Sequence, residues 1–539
     1  MRPRFAVLAL LLLAGCDALF GTQGPVLPPC QSDAECGAGA VCFPDGCGDP
    51  GRNLALVVAP SLATGHFEQD FAIKELRSTF DVEVPAPSAF EATLQRFISH
   101  ANLHPEPIAL PYASPVTFTF TGESTVIPGL RRRQSLQRVS TDGTFRLPVA
   151  SGLYTLSVAA QDTSLPPLIL PELEIRPGQT RELMLNLPAS LDLLRVDGRL
   201  LQSGGVAVQG TVMEIQAIHP LTLVPLSQRV PVSSGQAGST GDFTLYLAPE
   251  ARMLSSVLLM ATPRDGTAAV PSRSFELSTS ELLREPLELG DFGEPVEVTG
   301  RVLAPDGLPV QRAVVYLEGL VNGGGTLTTE KVLTRDDGTF TVRSLASPED
   351  APLRLTVLPP PDAPAALHRR AVVISAEGTA LGDVTCPERI AVRGTILRED
   401  GSAPAAAARI MAIPVAPVDG LPLPNPGAEA RTGDDGAWQL LLDPGSWRLD
   451  IFPADPQLPR VTRFLTLRDQ VERSLDLATL GLSRGRRVGG ALSAGGQRLA
   501  NAAVRFYRVT SVEGRPSAVL LAETVADSAG RYEVILPTR

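Results

Sequence analysis

From residue 85 onward apolar and polar residues alternate in short runs, the period of a strand with one face buried. In "WRLDIFP" (447–453), Trp447, Leu449 and Ile451 fall on one face, with Arg448 and Asp450 on the other. "LYTLSVAA" (153–160) and "LRLTVLP" (353–359) follow the same rule. With 49 Pro and 48 Gly breaking up the chain, long helices are not expected.

One hairpin pattern recurs. "STDGTFRL" (140–147), "STGDFTLYL" (239–247), "RDDGTFTV" (335–342), "GDDGAWQL" (433–440) and "DSAGRYEV" (527–534) each set a glycine two residues before an aromatic. The glycines, at 143, 241, 338, 436 and 530, are spaced by 98, 97, 98 and 94 residues, which marks a tandem domain. Phe145, Phe243, Phe340, Trp438 and Tyr532 are therefore expected to anchor successive cores. Asp142, Asp337 and Asp435 stand just before the glycine, where a carboxylate caps backbone N–H groups and glycine accepts positive φ. A calcium loop would need several more oxygen ligands at alternating positions and a distal Glu, and these do not recur. The paired acids at 336 and 337 thus read as a turn.

Each unit also opens on a valine-glycine strand, with Gly198 in "VDGRL", Gly300 in "VTGRVL", Gly394 in "VRGTIL" and Gly490 in "VGGAL". Units of about 97 residues with short alternating strands predict an all-β chain, a tandem array of antiparallel Greek-key-type β-sandwich modules. We place repeats at 85–190, 191–291, 292–387 and 388–484. Residues 53–84 carry only late strands and 485–539 only early ones, 32 and 55 residues that together approach one unit. Pairing of these halves between molecules, head to tail, would complete them. Modules laid end to end would form a rod on the order of 100–200 Å.

The first 15 residues, "MRPRFAVLALLLLAG", combine Arg2 and Arg4 with an apolar run too short to span a bilayer, as an export signal does. Leu13-Ala14-Gly15-Cys16 resembles the lipobox of bacterial lipoproteins. That resemblance implies cleavage before Cys16, lipid on its thiol, and an extracytoplasmic protein held at a membrane. The outer membrane is the expected one, although Asp17 is a residue that tends to retain enteric lipoproteins at the inner membrane. Residues 16–52 form a cysteine-rich spacer, in which Cys30, Cys36, Cys42 and Cys47 are disulfide candidates with three connectivities open. It resembles short modules that follow the anchor in surface lipoproteins. Cys386 reads as a buried thiol rather than a nucleophile.

The order V-x-G-x-V, Asp-Gly, Pro-Val, Asp-Asp-Gly-x-Phe and Trp/Tyr-x-Leu, fullest in 294–358, resembles the carboxypeptidase regulatory-like domain, a transthyretin-like β-sandwich. The resemblance covers most of 85–539 and implies fold rather than activity.

A net charge of -11 excludes a basic nucleic-acid face. Arg131–Arg133 and Arg484, Arg486 and Arg487 read as short solvated loops. The five histidines, 66, 100, 104, 219 and 368, show no metal-ligand spacing. "GLSRG" (481–485) has no histidine after Ser483, and "GCGDPG" (46–51) lies inside the spacer, so neither motif has its working context. No catalytic residue, cofactor or metal is expected. Two binding classes remain: a membrane-tethered structural or adhesive scaffold for an envelope protein, and a carbohydrate-binding surface lipoprotein. The sugar reading needs an exposed aromatic platform, whereas Trp438 and Trp447 fall in core phase.

Overall fold

The structure, a computed structural model, describes residues 41–43, 46–48 and 54–537 except 62–67, 74–77, 87, 99–107, 188–192, 203–205, 208–212, 233–240, 265–271, 285, 291–293, 323–324, 399–402, 417–426, 468–473, 478, 483 and 513–514. The described chain is nearly all strand, arranged around five separate apolar cores.

Every module repeats one plan, clearest in residues 296–385. The valine-glycine strand Val296–Leu303 lies at the centre of one sheet. It pairs antiparallel with the aromatic strand Thr339–Ser344 and parallel with the module's last strand, Thr379–Thr385. The facing sheet is antiparallel, built on Val314–Leu320 and Leu353–Leu358. Each otherwise antiparallel module thus carries parallel pairing to its central strand, from one strand in most and from two in the fourth, where Ser474–Asp476 and Leu480–Leu482 both pair with Ile390–Arg398.

The turn glycines have φ of 75°, 69°, 78°, 76° and 71°, the left-handed region that side chains with a Cβ avoid. In the third module Gly338 N donates to Arg335 O and Arg335 N to Thr339 O, both at 2.9 Å. Asp337 Oδ1 accepts from Thr339 N at 3.0 Å and from its hydroxyl at 2.7 Å. Asp142 and Asp435 cap in the same way, whereas Asp527, three residues before Gly530, accepts from Ala529 N and Arg531 N. The strand glycines have a different task. Gly198, Gly300, Gly394 and Gly490 are the direct cross-strand partners of Phe243, Phe340, Trp438 and Tyr532. A Cβ on Gly300 would come within 2.8 Å of the Phe340 ring, so the missing side chain is where the aromatic lies. All five repeat aromatics are buried.

The fifth module joins the two ends of the array. Leu54–Ala59 pairs antiparallel with Ala503–Val512 and with Gln69–Ile73, while Val82–Glu83 pairs parallel with Arg486–Ala494. The two partial repeats therefore complete each other within one chain. Leu54, Leu56, Val58, Ile73 and Val82 share a core with Val488, Leu492, Val504, Phe506 and Tyr532. Tyr532 Oη donates to Phe80 O at 2.8 Å, and Ala491 N to Asp81 Oδ1 at 2.8 Å.

This closure replaces the open rod with a cyclic order of contacts. Module five meets module one through Ala55, Val57 and Ile127. Gln228 of the second module donates to Ala160 O of the first at 2.6 Å. Ser272–Ser278 pairs with Thr326–Thr328, running one nine-stranded sheet through modules two and three. Arg389 ties three to four, and Phe452, Leu458 and Pro459 line a groove with Leu520 and Ile535 between four and five. End-to-end geometry fails because the late strands needed by the last module are supplied by the first segment.

One consequence is specific to closure. A Cβ on Gly490 would sit 1.8 Å from Phe80 O, a backbone atom of the N-terminal segment. Gly490→Ala is expected to loosen 54–84 from the C-terminal half while sparing the other modules. Hydrogen exchange should show faster exchange in 54–59 and unchanged protection in 314–320.

Candidate functional site

Two seams between modules each hold a buried ion pair, beside Arg273 and Asp450, which are buried elsewhere. At the first, strand Arg131–Arg138 of module one faces the N-terminal segment in module five. Arg132 Nη1 donates to Asp70 Oδ2 at 2.7 Å and to Ser151 O at 3.1 Å, and Nη2 to Glu68 Oε1 at 2.7 Å. Arg132 also contacts Asp70 Oδ1, and the Ser124 hydroxyl donates to Asp70 Oδ2. The side chain of Asp70 has no exposure at all. Burial works against the Arg132 charge, but Asp70 and Glu68 outweigh it and hold the guanidinium proton more tightly than usual. Arg132 therefore corrects the reading of 131–133 as a solvated loop: these residues form a strand, and the middle one turns inward because a carboxylate pair waits there. Arg131 stays exposed, as do Arg484, Arg486 and Arg487, the last two on strand Arg486–Ala494 and not in a loop.

The second seam is built on Arg389. Its Nε donates to Asp443 Oδ1 at 2.9 Å. Its Nη1 donates to Pro360 O, Pro361 O and Ala363 O at 2.9, 2.7 and 2.9 Å. Arg389 and Asp443 side chains are 3% and 2% exposed. The guanidinium is the polar plug that lets the proline-rich turn of module three close over module four. Nearby Cys386 is buried, and its thiol is pushed up to about 12 by that burial, with Asp443 adding to the shift and Arg389 opposing it. Cys386 is expected to resist iodoacetamide in the native protein near pH 8 and to react once the protein is denatured, as peptide mapping would show.

Cys16, Cys30 and Cys36 lie outside the described residues, as do the signal segment, Ser483, His66, His100 and His104. Cys42 and Cys47 are direct Cα partners in the hairpin Val41–Phe43/Gly46–Gly48. His219 Nδ1 accepts from Leu221 N and Thr222 N at 3.2 and 3.3 Å, which assigns it to a local turn. His368 is half-buried, and burial, then Arg370, lowers its proton affinity. Among the described residues no three His, Cys, Asp or Glu side chains converge as a metal group would require. No helix among them is long and apolar enough to cross a membrane.

The exposed large apolar residues among those described include no aromatic, and several cluster at one end of module two. Leu221 is 87% and Met253 86% exposed, with Leu223 and Leu283 also out in solvent. Their loops are tied together: Ala248 N donates to Leu226 O at 2.9 Å and Thr279 N to Ser255 O at 3.3 Å. Leu223 holds φ at 56°, a strained value fixed by Leu223 N donating to His219 O at 2.9 Å. Neither seam arginine nor this apolar end was legible as a site in the chain, since each depends on partners brought in from distant segments.

The fold and seams define a class, a tandem β-sandwich array whose two terminal segments share one module. No family model matches the chain, and no curated protein matches it. Solved structures similar to it include a streptococcal ancillary pilin, at 10% identity and TM-score 0.21, over 54% of this chain and 99% of the pilin. The shaft pilin SpaA of Lactobacillus rhamnosus GG is similar at 8% identity and TM-score 0.21, over 35% and 98%. The major pilin subunit BcpA of Bacillus cereus is similar at 9% identity and TM-score 0.14, over 74% and 99%. Likeness at this level does not bear on what the chain binds.

Proposed function

We propose that this protein is a non-catalytic, extracytoplasmic scaffold, tethered to a membrane by lipid on Cys16 and presenting loop ends of its β-sandwich modules to an envelope protein. The observation that carries the reading is the sorting of side chains. All five repeat aromatics and both tryptophans lie in cores, while the two most exposed large apolar residues among those described, Leu221 and Met253, lie between strands at one end of module two, and others, such as Leu153, Met184, Leu320 and Val525, lie on strands. Aliphatic loop tips suit a protein surface, and stacking on a sugar ring would call for an exposed aromatic face.

Within this reading the lipobox supports the anchor, and Cys30, Cys36, Cys42 and Cys47 close the spacer as two disulfides. The unit is of the carboxypeptidase regulatory-like type, which the order of valine-glycine strand, turn and aromatic strand supports.

The test is made on intact producing cells, with a photo-crosslinking amino acid at position 221 or 253 and a control at the exposed Leu308. Crosslinks to one protein from 221 and 253, absent from 308, are the expected result. Lipid labelling should vanish in Cys16→Ser. Saturable retention of the protein on cell-wall or matrix polysaccharide, competed by a defined oligosaccharide, would instead establish the carbohydrate reading.

A further inference from the structure

We propose that the fifth module is a strand-exchange site whose alternative ligand is a second copy of this chain: residues 54–84 of one copy complete the half-sandwich 486–536 of another. Three observations lead there.

The two halves of this module are joined by non-covalent contacts alone: ladders, packing and side-chain hydrogen bonds such as those of Tyr532 and Asp81. About four hundred residues separate Ala59 from Ala503, yet these two are direct Cα partners. Phe80 N donates to Gly489 O at 2.8 Å and Val84 N to Ser493 O at 2.6 Å, so the donor segment is held by backbone bonds that any identical segment could supply.

The donor is organised by the module that follows it. Arg132 and Ser124, which grip Asp70, both belong to module one. Glu68 is gripped by Arg132 as well, at 2.7 Å, and only more distantly by Arg505 of the acceptor half, at 3.7 Å. Withdrawn from its acceptor, the donor keeps these contacts, so much of its ordering has already been done before it meets a new acceptor.

The acceptor is incomplete alone. Without Leu54, Leu56 and Val58, the apolar face of Val504 and Phe506 is uncovered, and strand Ala503–Val512 presents a bare edge. The register that fits this edge is that of 54–59, in cis or in trans. Closure in cis does not depend on protein concentration, so the dilute chain is a closed monomer. Exchange in trans grows where copies are crowded, as on a shared surface, and it joins copies head to tail.

The experiment uses the full chain carrying Ala59→Cys or Ala503→Cys, two half-buried residues, with linked peptides identified by mass spectrometry so that native cysteines do not confuse the result. The double variant A59C/A503C should form the 59–503 link within one chain and run as a monomer. Single variants A59C and A503C are mixed, held in denaturant just below the unfolding transition to permit opening, returned to native buffer and oxidised. In that mixture a 59–503 link can form only between copies. The expected result is a crosslinked dimer containing this peptide, rising with protein concentration, and falling in proportion when an about tenfold excess of unsubstituted chain is added. If the double variant links within the chain but the mixture never yields the 59–503 peptide, the site is filled in cis only and the proposal is wrong. If the double variant itself does not link, the register of the fifth module is wrong and the proposal falls with it. Either outcome is separate from crosslinking at positions 221 and 253.

Discussion

Replacing Arg132 by alanine is expected to release the N-terminal segment from the body of the protein. The substitution leaves the Asp70 carboxylate, wholly buried at side-chain level, with the Ser124 hydroxyl and no guanidinium. Removing one partner of a buried ion pair costs about 3–5 kcal/mol, because the remaining charge stays out of water without compensation. At about 1.4 kcal/mol per factor of ten, the population of the opened state should rise by two to three orders of magnitude. The direct readout is amide exchange in Leu54–Ala59 and Gln69–Ile73, whose protection should fall by that factor. The contrast is Arg505→Ala. Arg505 pairs with Glu523 at 2.7 Å and Glu68 at 3.7 Å, but both acids are about a third exposed or more, so its removal should cost no more than about 1 kcal/mol. Equal effects from the two substitutions would mean that the seam is held by its apolar contacts around Ile127 and not by Arg132.

Much of the module was legible in the chain because its rules are local. A turn glycine at positive φ, an aspartate two residues before the amide that it caps, and an aromatic opposite a strand glycine all lie within one hairpin or one strand pair. Their spacing repeats with the domain, so five copies of the turn glycine and aromatic, four of the strand glycine and three of the aspartate turned a weak signal into a strong one. The terminal half-units were legible too, but the sequence holds nothing that says whether their edges meet within a molecule or between two. That choice depends on how four intervening modules turn at their seams. Those turns are fixed by single residues such as Gln228 and Arg389, whose neighbours in sequence give no sign of their partners. Arg132 shows the same limit. In "RRRQSL" it looks like a solvated charge run, and only the arrival of Asp70 from 62 positions away makes it a buried clamp. Cys386 was legible for a simpler reason: a small apolar residue just outside a strand needs no particular partner to be buried.

The second large effect is expected at Arg389. This guanidinium is spent on one carboxylate and on carbonyls of the Pro359–Ala363 turn, Nη2 reaching Pro359 O at 3.4 Å. Arg389→Ala should therefore cost about 3–5 kcal/mol in the stability of the joint between modules three and four, by taking the guanidinium from the buried Asp443 carboxylate and from those carbonyls together. Arg389→Lys should recover little. An ammonium has three donors on one atom and cannot reach a carboxylate on one side and a carbonyl cluster on the other, as the planar fork does. The double variant Arg389→Met with Asp443→Leu separates the two parts of the loss. It removes the buried charges as a pair, which should restore the unfolding midpoint of module four, yet it takes the guanidinium from the carbonyls of Pro361 and Ala363 and from Pro360 O, which keeps only Ala363 N at 3.1 Å. Cys386 supplies the readout in the native state, being packed in the same core as module three and adjacent in sequence to the joint. Its thiol should become open to alkylation in Arg389→Ala and Arg389→Lys, and in the double variant to the extent that the proline-rich turn still lifts. Protection of Cys386 in all three variants would show that the joint is held by the bridge between Ala365 and Glu388 and by Ala366 N donating to Pro387 O at 2.7 Å, with Arg389 merely filling a space those bonds had already closed.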